Sequence, residues 1–186
     1  YVLKGTGKAP LKPQDQTAKQ NAYGRSKLAG ETGIADGGGT YAILRTSWVV
    51  SAHVVNFIKT MLRLSEARGA LNIVGDQIGG PTPARDIALT CLQIAEQLMQ
   101  DPSKSGTCHF SGAPDVSWAD FACKIFEHAG KSLAVAPIPT TDHPTPALRP
   151  LNSRMDCTTT MRAFGIERPD WVHGLKIILD DLEAST

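Results

Sequence analysis

The strongest constraint on the fold is a helix-like run followed closely by a strand that is apolar on both faces. Residues 18–34 read as one helix, and Gly37-Gly38-Gly39 breaks it. Residues 40–46 follow as Thr-Tyr-Ala-Ile-Leu-Arg-Thr, a short run with little polar alternation. Such a run predicts a parallel strand covered on both sides, because alternating strands leave one face to water. Ser47-Trp48-Val49-Val50 lies at its C-terminal end, where open α/β sheets collect ligands.

The rest of the chain repeats this alternation. Four more apolar stripes have helical spacing. One holds Val54, Phe57, Ile58, Met61 and Leu62, and another holds Ile87, Cys91, Ile94 and Leu98. A third holds Trp118, Phe121, Ala122, Ile125 and Phe126, opened by Ser117 with Asp120 three residues on, a variant capping box. The last holds Trp171, Leu175, Ile178, Leu179 and Leu182. Strand candidates at 70–74, 107–110 and 133–138 lie between them. Residues 137–150 contain five prolines, which fix φ and remove donors, so a stiff irregular loop is expected there.

This pattern predicts an α/β layer structure. Tyr1-Val2-Leu3-Lys4-Gly5 reads as the end of a strand, so we expect the sequence to be part of a longer protein.

Composition narrows the classes of function. A net charge of +1, with no basic stripe interleaved with aromatics, argues against nucleic-acid binding. No apolar run has the length of a membrane span. Cys91, Cys108, Cys123 and Cys157 are too scattered for a metal site and read as free thiols of a reducing, cytoplasmic protein. Gly5-Thr6-Gly7-Lys8 is neither a phosphate loop, whose glycines need four residues between them, nor a dinucleotide fingerprint, since Pro10 stands at its third glycine.

Tyr23 and Lys27 are the candidate chemistry. Four residues apart on a helix, they share a face. A free phenol exchanges its proton poorly at neutral pH, with a pKa of about 10, and a cation beside it favours the phenolate. An ammonium also has donors to spare for ribose hydroxyls. By itself this spacing is common by chance and better fits a solvated helix face with an aromatic and a basic neighbour.

The order of motifs adds context. Tyr-Val-x-x-Gly-x-Gly at 1–7, Asn-x-Tyr-Gly-x-Ser-Lys-Leu-x-Gly-Glu at 21–31 and Leu-Arg-Thr-Ser-Trp-Val at 44–49 resemble the dTDP-4-dehydrorhamnose reductase family of extended short-chain dehydrogenases. Asn56-Phe57-x-Lys59-Thr60-Met61-Leu62-Arg63-Leu64, Asp76-Gln77-x-Gly79-x-Pro81-Thr82 and Arg149-Pro150-x-Asn152-Ser153 continue the resemblance in collinear order. It implies that NADPH or NADH delivers hydride to the 4-keto carbon of dTDP-4-dehydro-L-rhamnose, giving dTDP-L-rhamnose for cell-surface polysaccharide such as lipopolysaccharide. It makes Tyr23 the proton donor, has Lys27 hold the nicotinamide ribose, and sets Trp48 against the sugar nucleotide. It also implies the C-terminal part of a Rossmann-type parallel sheet interleaved with a small mixed α/β substrate domain. Residues 1–50 and 83–112 would complete the dinucleotide-binding domain, residues 51–82 and 113–186 would form the sugar-nucleotide substrate domain, and the active cleft would lie between them. Arg149 pairs with the diphosphate on this reading or makes a loop salt bridge on another. Asn56 and Asn152 are substrate-binding candidates of lower rank than Arg149, since either could simply tie down a loop backbone.

Some features depart from the family. Its Ser-Thr-Asp run and glycine-rich dinucleotide loop are not in this sequence, so we expect the 186 residues alone to bind cofactor poorly and turn over little. His53 stands in a loop where the family has an aromatic and glycines. Arg85 stands where some family members place a glutamate that helps hold Mg²⁺ between subunits, so no metal is expected. A homodimer of the full-length protein stays open. Two other readings also stay open: another extended short-chain nucleotide-sugar epimerase or dehydratase, and a non-catalytic regulatory subunit like that of methionine adenosyltransferase.

Overall fold

The structure, a computed structural model, describes residues 2–18, 21–147 and 149–184. Its elements are α1 (Ala22–Asp36), β1 (Ala42–Arg45), β2 (Val49–Val50), α2 (Phe57–Ala67), β3 (Ala70–Val74), β4 (Ile78–Gly79), β5 (Thr82–Pro83) and α3 (Ala84–Gln100). Then come β6 (Gly106–His109), β7 (Val116–Ser117), α4 (Trp118–His128), β8 (Ala134–Ile138), β9 (Asn152–Ser153), α5 (Thr158–Phe164) and α6 (Trp171–Glu183). No helix among the described residues is long and apolar enough to cross a membrane.

Three parallel pairs define the α/β architecture. β1 pairs with β6, β2 with β5, and β3 with β8, while β4 joins β7 and β9 in a small mixed sheet. The larger core lies where α2, α4 and α6 meet β3, with Ile58, Phe121, Ile125 and Leu175 nearly or wholly buried. A smaller core sits between α3, β1, β6 and α5, built on Ile94, Leu98, Cys108 and Phe164.

Local chemistry sets the element boundaries and corrects several expectations. The first helix begins at Ala22, because the Asn21 side chain accepts from the Gly24 N–H at 2.8 Å and caps it there. Lys19 and Gln20, inside the expected helix, lie outside the described residues, as do Tyr1 and Leu148. Leu3 forms an isolated antiparallel bridge with Thr17. Val54, expected on the apolar face of α2, is 68% exposed, because Asn56 caps that helix two residues later. On α3 the buried stripe is Thr90, Ile94 and Leu98, so Cys91 faces out. β1 was expected to be buried on both faces. All four of its residues are only partly buried, since it pairs on one edge alone among the described strands. Ser117 caps α4 as its sequence indicates, accepting from the Asp120 N–H at 3.0 Å.

Two distant loops are stitched together beside β9. Asn152 N–H donates to Gly5 O at 3.1 Å, Leu11 N–H to Arg154 O at 2.9 Å, and Asp156 N–H to Leu11 O at 2.8 Å. Beneath this seam His109 is wholly buried, and its Nδ1–H donates to Leu11 O at 3.0 Å. Its Nε2 has no hydrogen-bond partner among the described residues. Burial, and then the nearby Arg45 cation, push its pKa down to about 4.

A pH dependence follows from His109. Between its unfolded value of about 6.5 and its native value, the unfolded chain binds a proton that the native chain refuses. Stability is therefore lost as pH falls through that window. We expect urea unfolding at pH 4.5 to show a loss relative to pH 7 that is about 2–3 kcal/mol smaller in His109→Asn than in the wild type.

Candidate active site

A cleft of about 480 Å³ opens where α1 passes the C-terminal end of β1. Tyr23, Lys27 and Glu31 enter it from one stripe of α1, at i, i+4 and i+8. Arg45, Thr46, Ser47 and Trp48 enter from the strand end, and Pro150, Asn152 and Ser153 from the seam opposite. The lysine ammonium lies 5.5 Å from the Tyr23 ring centroid, so phenol and cation do share a face. Tyr23 is 58% exposed and open to a ligand in the cleft. Lys27 makes no ion pair among the described residues.

Trp48 holds a special backbone position. Its φ is +47°, a left-handed conformation that a bulky side chain rarely adopts. This turn separates β1 from β2 and swings the indole onto Trp118, with ring centroids 3.5 Å apart and planes within 10°. The other constraint is Gly79, where a Cβ would lie 2.8 Å from the indole. The turn is fixed by backbone and hydroxyl bonds. Thr82 N–H donates to Trp48 O at 3.0 Å, Thr82 Oγ1 to Ser47 O at 2.7 Å, and Ser47 Oγ to Gly80 O at 3.2 Å. Strained residues of this kind gather at functional sites because their surroundings over-determine them.

The remaining sequence candidates are distributed differently. Asn152 lines the cleft but is 1% exposed. Its Nδ2 donates to Ala9 O at 2.8 Å, and its Oδ1 accepts from Arg154 N and Nη1 at 3.2 Å each. Asn56 lies outside this cleft. Its Oδ1 accepts from Ile58 N and Lys59 N, while Nδ2 donates to Ser51 O and Val54 O. Arg149 lines a second cavity of about 790 Å³, with Phe57, Asn72, Gln77, Trp118 and His143. The stacked indoles link the two spaces, Trp48 at the first and Trp118 at the second. His53 is exposed in its loop, and Arg85 is exposed at the start of α3.

Sequence reasoning missed Glu31, Arg45 and Trp118 as parts of the site. For Glu31 a signal existed, since it continues the Tyr23–Lys27 stripe by one turn. The guanidinium of Arg45 grips it at two points, Nε to Oε1 at 3.0 Å and Nη2 to Oε2 at 2.7 Å. Its Nη1 donates to Pro13 O at 3.0 Å.

Fold and cleft together define an α/β protein of Rossmann type, with a tyrosine–lysine helix beside parallel strand ends. Residues 1–184 match the family described as RmlD substrate binding domain, and the chain belongs to that family. It is 42% identical over 177 residues to dTDP-4-dehydrorhamnose reductase of Sinorhizobium fredii, covering 92% of this chain and 60% of that protein. With the enzyme of Escherichia coli K12 the identity is 38% over 192 residues, covering 100% and 64%. The crystal structure of the Clostridium acetobutylicum reductase superposes with a TM-score of 0.89 at 33% identity, over 98% of this chain and 63% of that one. That of the Bacillus anthracis reductase in complex with NADP gives 0.84 at 33%, over 97% and 62%. The chain thus spans less than two thirds of the length of these relatives. A Stenotrophomonas UDP-glucose-4-epimerase, 17% identical with a TM-score of 0.79, shares the fold. The family read from the motif order is the one found.

Replacing Gly79 by alanine drives a methyl group into the Trp48 indole. We expect a loss of about 1–3 kcal/mol in urea unfolding, together with loss of the near-ultraviolet dichroism of the stacked indole pair.

Proposed function

We propose that this chain forms the substrate-binding and proton-donating part of an enzyme that reduces the 4-keto group of dTDP-4-dehydro-L-rhamnose to dTDP-L-rhamnose. The observation that carries this reading is the meeting of Tyr23, Lys27 and Trp48 at one cleft. The relatives' names support it, and the NADP complex of the Bacillus anthracis enzyme favours NADPH over NADH. When bound, the dinucleotide supplies the hydride.

The residues present fit its nicotinamide end. Lys27, without an ion pair among the described residues, has donors for the ribose hydroxyls, and it keeps positive charge beside the Tyr23 phenol. Tyr23 donates its proton to the sugar oxygen as negative charge develops there. Trp48 offers the deoxysugar a flat apolar wall. Arg149 meets the diphosphate from the second cavity, on the far side of the indole pair, as its planar fork suits phosphate oxygens. Asn152 acts through the wall it holds, and Asn56 through the start of α2. Residues 1–50 and 83–112 belong to the dinucleotide half and the remainder to the sugar-nucleotide half. The product serves cell-surface polysaccharide, and the whole protein works in the cytoplasm.

Tyr23→Phe in the intact protein tests the assignment. We expect turnover to fall by about 10²–10⁴-fold, while calorimetry still detects sugar-nucleotide binding. NADPH oxidation at the wild-type rate would remove Tyr23 from the chemistry, and epimerised product without net cofactor consumption would point to the epimerase reading.

A further inference from the structure

Lys27 stands between two possible partners on its own helix, Tyr23 one turn before it and Glu31 one turn after. Lysine and glutamate at i and i+4 ordinarily pair. Here they do not: the carboxylate binds Arg45 through both oxygens, while the ammonium lies over the Tyr23 ring. The Arg45 and Glu31 side chains are only 11% and 15% exposed, so each is largely withdrawn from water. A carboxylate so placed and stripped of its guanidinium must find another cation. On α1 the cation within reach is Lys27.

We infer that Arg45 is a positioning residue that occupies Glu31 and so leaves the Lys27 ammonium at Tyr23. This rests on the proposed role of Tyr23 for its catalytic consequence, though not for its geometry. Only a guanidinium meets all the demands at this point. Two parallel N–H donors match the carboxylate, and a third N–H reaches Pro13 O at 3.0 Å, which fixes the fork in its plane. The same contacts tie α1 to β1. A simple structural clamp and a device that sequesters the carboxylate therefore predict different things. If the pair only clamps the helix, breaking it from either side does the same harm. If Arg45 keeps Glu31 off Lys27, losing Arg45 displaces the Lys27 ammonium from Tyr23 and losing Glu31 does not, because no carboxylate is then left to draw the lysine away.

The test is a double-mutant cycle of Arg45→Met and Glu31→Gln, read in two ways. In the isotope-labelled chain, without ligand, the nuclear Overhauser contact between the Lys27 side chain and the Tyr23 ring is followed. We expect it in the wild type and in Glu31→Gln, its loss in Arg45→Met, and its return in the double variant. In the intact protein, Arg45→Met should lower kcat by on the order of tenfold and raise the dinucleotide KM with the sugar-nucleotide KM unchanged. The double variant should recover most of that loss. Arg45→Lys, whose single ammonium cannot span both carboxylate oxygens and the Pro13 carbonyl, serves if Arg45→Met does not fold. It should show the same pattern to a smaller degree. Persistence of the Lys27–Tyr23 contact in every folded Arg45 variant would overturn the inference, as would equal losses in both single variants and the double. A contact that responds as expected while turnover does not would leave the inference standing and count against Tyr23 as proton donor.

Discussion

Trp48 is where the chain changes direction, and much of the architecture depends on that turn. Up to Arg45 the backbone runs along β6 beside the smaller core, and from Val49 it runs along β5 into the larger one. A left-handed tryptophan costs on the order of 1–3 kcal/mol. The compensation is local and specific. The indole stacks on Trp118, Trp118 packs on Phe57 with centroids 4.5 Å apart, and Phe121 meets Trp171 edge-on at 5.2 Å. Aromatic pairs of these geometries each add about 0.5–1.5 kcal/mol beyond their burial. The strained turn is thus held by the aromatic side of the larger core, and the cleft inherits a wall that cannot rotate away.

Charge is arranged around the cleft with similar economy. Arg45 lies on β1 directly opposite His109 on β6. A cation and a buried imidazole so close together cannot both carry charge cheaply, and burial leaves the imidazole neutral. The Arg45 charge is then met by the Glu31 carboxylate. The neutral His109 donates to Leu11 O and anchors the seam that carries Pro150, Asn152 and Ser153 to the opposite side of the cleft.

Much of the fold was legible because its signals are local. The stripes of α2, α4 and α6 and the strand at Ala70–Val74 declare themselves through periodicity, and Ser117 through its cap. The paired residues Tyr23 and Lys27 could be read because helix geometry alone brings them together. Other features have no local signal. β4, β7 and β9 have two residues each, too few to carry a period. α5 opens on Thr158-Thr159-Thr160, residues of indifferent helix propensity, and is held instead by burial of Phe164 and a left-handed Gly165 cap. Trp118 shows helical spacing and so reads as core; only tertiary structure stacks it on Trp48. Asparagine is ambiguous in principle, since the amide that binds a ligand also caps helices and ties loops. At Asn56 and Asn152 the structure shows those local bonds made.

The two walls of the cleft are anchored by different physics. The Trp48 wall is part of an aromatic core. The Tyr23 wall is α1, in which Gly24 is the buried residue and Leu28 and Glu31 are partly covered. Elements with little apolar burial open at lower free-energy cost than the core does. The helix side is held by polar contacts at more than one point: the Asn21 side chain caps its first turn, and Glu31 meets Arg45 further along. The axis of α1 therefore does not hang on the ion pair alone. What the directional Arg45 fork settles is which neighbour the Lys27 ammonium meets on the stripe at i, i+4 and i+8.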